Sequence, residues 1–333
     1  MDTVETARGP IATAQLGPTL MHEHVVTRSP GVQENWPHLW DRNSILDIAE
    51  RKLADLYRRG IRSLVDLTTV DLGRDIDLIA AVARRSQVHI IVATGVWWMP
   101  QRYFSAHGVD AVADLFIRDI TQGIGASGVK AAIIKCATDT AGVTPVIENI
   151  LRASARAQKA TGVPISTHTW AAGRTGEAKQ AIFAQEGVEL RHVIIGHSGD
   201  SDDLGYLRGL MERGSTIGMD RFGLEHFLPT AKRVEVIARL CVEGYAPRMV
   251  LSHDANCWSD MLSEDDKRRT RPLWHYNHIP DDILPALRKA GVSDDQIDQM
   301  LVRNPRAIFE GSPPGGASGR PPGGASARPP GGA

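Results

Sequence analysis

Cysteine is scarce in this 333-residue chain. Its three residues, Cys136, Cys241 and Cys257, are odd in number and widely spaced, which argues against a disulfide framework and for reduced thiols in packing or supporting roles. No Lys/Arg-rich block is present and the formal net charge is -1, so nothing pulls the chain as a whole toward nucleic acid. A small-molecule partner is expected instead. Met1 to Pro10 carry acidic groups and no apolar run. Neither a signal peptide nor a membrane-spanning helix is therefore expected, and the cytoplasm is the expected compartment.

The chain does have enough apolar material for a large core: 42% of residues are hydrophobic and 23% charged, the balance of an ordinary globular protein. Short apolar runs rich in β-branched residues alternate with segments of helical period, the pattern of repeated βα units. Eight strands are predicted, near Thr19 to His24, Ser63 to Thr68, His89 to Gly95, Ala131 to Thr138, Pro164 to Thr169, His192 to Ser198, Thr216 to Asp220 and Met249 to Asp254. Helices are predicted over Ile45 to Arg59, Ile147 to Ala160 and Val234 to Glu243, each followed by a glycine that can close it in the left-handed conformation. Eight such units favour an α/β fold of (β/α)8 TIM-barrel type over a doubly wound sheet. The barrel domain is predicted over residues 1–311. From 312 to 333 the composition turns into a Pro/Gly-rich repeat without hydrophobic period, expected to be a disordered tail.

In such a barrel the chemistry belongs at the carboxyl ends of the strands. There the sequence places His22 and His24, Lys135, His168, His197 and Asp254. Residues two apart on a strand share a face, so His22 and His24 form a two-nitrogen clamp while Glu23 points away. His168 and His197 end adjacent strands and can converge on one ion. Lys135 lies in the apolar run AAIIKCAT. An ammonium there would be repelled by two cations, whereas a carbamate formed with carbon dioxide would bridge them. Asp254 is expected to complete the shell of the first ion and to take a proton from metal-bound water. Nitrogen and oxygen donors admit zinc first, and also manganese, iron or cobalt. Beyond the ligands, Arg221 is expected to pair with Asp200 in a link that positions a proton carrier. Trp97, Trp98 and Trp258 are expected to overhang the centre as an apolar wall for substrate. By strand alternation His253 faces away from the cleft.

The segments TLMHEHV, IIKCATD, PISTHT, VIIGHSGD, IGMDRFG and VLSHDA, in that order, resemble the phosphotriesterase family of the amidohydrolase superfamily, including the phosphotriesterase-like lactonases. The resemblance runs from about Thr6 to Glu310. It implies a binuclear centre, with His22, His24 and Asp254 on the more buried ion, His168 and His197 on the more exposed one, and carboxylated Lys135 between them. It also implies a homodimer. GVWWMP is similar to the tryptophan-containing loop of bacterial phosphotriesterases, whereas lactonases typically carry tyrosine at the position of Trp97. MDRFG and SHDANC look more like the lactonase group.

The expected activity is hydrolysis of uncharged ester-like substrates, lactone or carboxylic ester preferred and phosphotriester cleavage alongside, with a metal-bridging hydroxide as nucleophile. A dedicated phosphotriesterase, a metal-assisted isomerase or decarboxylase, and a metal-binding protein without turnover stand as alternatives. The barrel alone decides among none of these, because it hosts many chemistries.

Overall fold

The computed structural model describes residues 2–312, so the Pro/Gly repeat lies outside the described residues. Each of the eight predicted strands has its counterpart: β1 (Thr19–Thr27), β2 (Ser63–Asp66), β3 (His89–Gly95), β4 (Ile133–Ala137), β5 (Ile165–His168), β6 (Val193–Ile195), β7 (Thr216–Met219) and β8 (Met249–Leu251). They pair in parallel in chain order, and helices follow them on the outside, as in a (β/α)8 barrel. The three predicted helices occupy Arg42–Arg58, Pro145–Thr161 and Thr230–Val242. Asp41 caps the first by accepting from the backbone N–H of Asn43 and Ser44, and Thr144 caps the second. Among the described residues no helix is long and apolar enough to cross a membrane.

The strands end earlier than the sequence predicts where site residues begin. β6 stops at Ile195 and β8 at Leu251, because His197 and Asp254 adopt φ of 59° and 56° and cannot continue an extended strand. After Asp254 the chain re-enters the sheet as an unpredicted ninth strand, β9 (Asn256–Ser259), which pairs in parallel with β1. The gap between β8 and β1 is closed by three bonds. His22 N donates to Ser252 Oγ at 2.9 Å, Asp254 N to His22 O at 3.0 Å, and His24 N to Ala255 O at 2.8 Å.

Alternate residues of the strands, Met21, Val65, Ile91, Ile133, Ile194 and Val250, form a separate apolar cluster that fills the barrel interior. Val4 of an N-terminal hairpin and Ile308 and Phe309 of the last helix belong to the same cluster and plug the amino-terminal end. Lys135 follows Ile133 by two residues and so points up the same bore, above a dry floor. On β1 the pairing with β2 shifts register between Leu20 and Glu23. Such a bulge re-aims side chains, and it lets Met21 face the floor while the next residue, His22, faces the cleft.

Candidate metal centre

His22, His24, Lys135, His168 and Asp254 line one cleft at the carboxyl end of the barrel, with Trp97, Arg221, Asn256, Met261 and Trp274 around it. Its free space is about 140 Å³. His197 sits beneath it, fully buried, its ring stacked on that of His22 at 4.6 Å and edge-on to that of His168 at 4.6 Å.

Hydrogen bonds to the outer nitrogens fix which ring atoms face inward. Asp220 accepts from His22 Nδ1 at 2.8 Å through one oxygen and from His197 Nδ1 at 2.9 Å through the other. A carboxylate only accepts, so both rings carry their proton on Nδ1 and turn the Nε2 lone pair into the centre. His168 is held the opposite way: Nε2 donates to Asp139 Oδ2 at 2.7 Å, and indole Nε1 of Trp97 donates to Nδ1 at 3.2 Å. Burial lowers the pKa of all three imidazoles, that of His168 to about 3, which keeps the rings neutral at neutral pH. His197 Nε2 and His168 Nδ1 therefore face each other at 3.0 Å, both unprotonated, with the indole N–H of Trp97 donating to Nδ1. A cation placed there would be shared by both nitrogens.

The other donors satisfy the same test. Asp254 Oδ1 lies 3.1 Å from His24 Nε2 and 3.5 Å from His22 Nε2. Ligands at about 2.0–2.2 Å from one ion at tetrahedral angles lie about 3.3–3.6 Å apart, so both groupings are within a few tenths of an ångström of the spacing a metal needs. His22, His197 and Asp220 also come together, but both oxygens of Asp220 are already engaged by the outer nitrogens. Asp220 is thus better described as the support of two ligands than as a ligand. His24 is turned by Thr68 Oγ1, 2.9 Å from its Nδ1.

Lys135 is 1% exposed, and its Nζ lies 2.8 Å from His22 Nε2. Burial lowers its pKa to about 8, so free amine is accessible near neutral pH. No side chain at Gly95 would fit beside it, since a Cβ there would meet Lys135 O at 1.9 Å. Gly218 serves Asp220 in the same way: its Cβ would stand 2.3 Å from Asp220 Oδ2.

Arg221 Nε donates to Asp254 Oδ2 at 3.0 Å, and its Nη1 to Asp200 Oδ2 at 3.0 Å. Arg233, 1% exposed, holds the other oxygen of Asp200 at 2.8 Å. A guanidinium does not deprotonate in proteins, so this chain orients Asp254 without conducting its proton to Asp200.

The tryptophans divide. Trp97 lines the cleft, whereas Trp98 packs edge-on to Trp97 at 5.2 Å and is 38% exposed. Trp258 faces a neighbouring groove against Trp40, 4.8 Å away. Trp98 and Trp258 do not line the cleft, and its tryptophans are Trp97 and Trp274. Asp220, Asp139, Thr68 and Trp274 escaped the sequence reading. For Asp220 a signal existed, an acid at the very end of the seventh predicted strand.

Known proteins resemble this chain along most of its length. A phosphotriesterase homology protein of Mycobacterium tuberculosis is 48% identical over 93% of this chain and 98% of its own. A solved structure described as the phosphotriesterase from Mycobacterium tuberculosis superimposes with a TM-score of 0.90 at 48% identity, covering 92% of this chain and 98% of that one. An aryldialkylphosphatase of Saccharolobus solfataricus is 36% identical over 90% of this chain and 96% of its own. The profile of the phosphotriesterase family matches residues 2–309, and the chain is therefore a member of that family, a hydrolase acting on ester bonds.

Proposed function

We propose that the chain is a binuclear metal-dependent hydrolase that prefers lactones or carboxylic esters and cleaves phosphotriesters as a related activity. The observation that carries this reading is the approach of two unprotonated ring nitrogens to 3.0 Å, His197 Nε2 and His168 Nδ1, beside the separate grouping of His22, His24 and Asp254. Two divalent ions, zinc foremost, would be held by these residues and would supply Lewis acidity at the scissile carbonyl or phosphoryl and a water acidic enough to attack at neutral pH.

Lys135 shares the cleft with both groupings, its Nζ 2.8 Å from His22 Nε2, and as a carbamate it would add two oxygen donors to them. Its amine adds to the carbon of carbon dioxide and releases one proton to solvent, a reaction open to the free base that burial favours. Asp254 turns Oδ1 toward His22 and His24 and keeps Oδ2 on Arg221, so it is oriented to take the proton of the attacking water. Trp97 and Trp274 present apolar faces that exclude bulk water and pack the acyl or alkoxy part of the substrate.

The preference for lactone or ester rests on the likeness of MDRFG and SHDANC to the lactonase group. The 36% identical aryldialkylphosphatase supports the second activity. The test is a panel of lactones, aryl carboxylic esters and dialkyl aryl phosphotriesters assayed with metal-loaded protein. The expected result is a kcat/KM for the best lactone or ester at least about tenfold above the best phosphotriester, a difference of about 1.4 kcal/mol in transition-state binding. A phosphotriester turned over faster than any lactone or ester would overturn the preference, and a panel without turnover the hydrolase mechanism.

A further inference from the structure

Glu23 stands between the two histidines of the clamp, yet its side chain leaves the cleft and is fully buried. Four donors converge on its carboxylate. Oε1 accepts from Ser252 Oγ at 2.9 Å, from His253 N at 2.9 Å and from His253 Nδ1 at 2.7 Å, and Oε2 accepts from Ala255 N at 2.9 Å. All four belong to the turn of residues 252–255, whose third residue is Asp254. That residue holds φ at 56° without being glycine, a conformation that persists only where the surroundings fix it.

The turn is gripped from its other side by the segment that walls the cleft. Ile279 N donates to His253 Nε2 at 2.9 Å, which puts the ring proton on Nδ1, facing Glu23. Trp274 Nε1 donates to His253 O at 3.0 Å, and the hydroxyl of Tyr276 donates to His24 O. Neither Glu23 nor His253 lines the cleft. Yet every bond their side chains make ends on the strand of the clamp, on the turn of Asp254 or on the segment that carries Trp274.

We infer that Glu23 and His253 are a positioning pair: Glu23 sets Asp254 for ion binding, and His253 ties the Trp274 wall to that setting. The inference rests on the metal centre proposed above. It separates two effects that mere barrel closure would not separate, because one half of the pair acts on the ion site and the other on the substrate wall.

Two variants test it. Glu23→Gln keeps the shape, but its amide must turn N–H groups toward at least one existing donor, which breaks a bond to the turn. His253→Asn retains an N–H for Glu23 and loses the acceptor for Ile279 N. Metal retention by the loaded full-length protein is read by chelator competition, together with KM, kcat and thermal melting at saturating metal. Glu23→Gln is expected to weaken retention of one of the two ions about 10–100-fold. His253→Asn is expected to hold both ions within about twofold of wild type but to raise KM about tenfold for a substrate packed on Trp274, a change of about 1.4 kcal/mol. Variants that only melt earlier, with both ion affinities and KM unchanged, would reduce the pair to a closure device and overturn the inference. Should Glu23→Gln fail to fold, His253→Asn alone decides by its KM. A wild-type chain that retains no metal would overturn the metal reading and this inference with it.

Discussion

The barrel bore has two storeys built from the same strands, and they obey opposite rules. The lower one is aliphatic throughout, with Met21, Val65, Ile91, Ile133, Ile194 and Val250 closed off by the hairpin and the last helix. The upper one, two residues further along several strands, holds buried imidazoles and a buried lysine beside the half-buried carboxylate of Asp254. What differs is support. Floor residues need only fill space, while each ring of the upper storey needs a hydrogen bond from outside the centre: Asp220 for His22 and His197, Asp139 for His168, Thr68 for His24. The floor in turn shapes the chemistry above it, because a dry neighbour is what lowers the pKa of Lys135 to about 8. Substitutions in the upper storey should strike function, and those in the lower storey stability.

The largest effect on turnover is expected for Lys135→Ala, which removes the bridge between the two donor groupings. Turnover should fall to background, and a steady-state assay with full turnover would break the contrast between storeys at once. Next comes Asp220→Asn, because its amide cannot accept from both Nδ1 atoms through two oxygens. Metal affinity or activity should drop about 10–100-fold, measured by chelator competition and kcat/KM. Ile91→Ala should leave metal stoichiometry intact and cost about 2–5 kcal/mol of stability, read from denaturant unfolding. Loss of an ion on that substitution would show that the floor also positions ligands. The smallest pair is Trp97→Ala against Trp98→Ala. The first should raise KM severalfold by removing a cleft wall, the second should leave KM within about twofold.

Much of the upper storey was legible because strand alternation and strand ends are properties of single segments. The HxH of β1, the lysine two residues after Ile133 and the terminal histidines of β5 and beyond β6 could be placed one strand at a time. What the sequence concealed depends on how strands meet. The bulge that lets Met21 and His22 serve different storeys arises from the pairing of β1 with β2. Asp220 acts on β1 and on the end of β6 at once, a convergence no local pattern encodes. Trp258 was expected over the centre, but it lies on β9, whose partner is β1. In β9 Cys257 and Ser259 are buried while Trp258 turns the other way, toward Trp40. Trp274 became a wall of the cleft through a segment with no periodicity of its own, tied in by its bond to His253 O. The Arg221–Asp200 link was foreseen as a contact, but Arg233 on its far side was not.

An upper storey that holds two ions shows itself in the metal content per chain of protein purified without chelators in bicarbonate-containing buffer. About two transition-metal equivalents are expected, falling on chelation together with activity and returning with added metal and bicarbonate. A reproducible value near zero that added metal does not raise would contradict a two-ion centre.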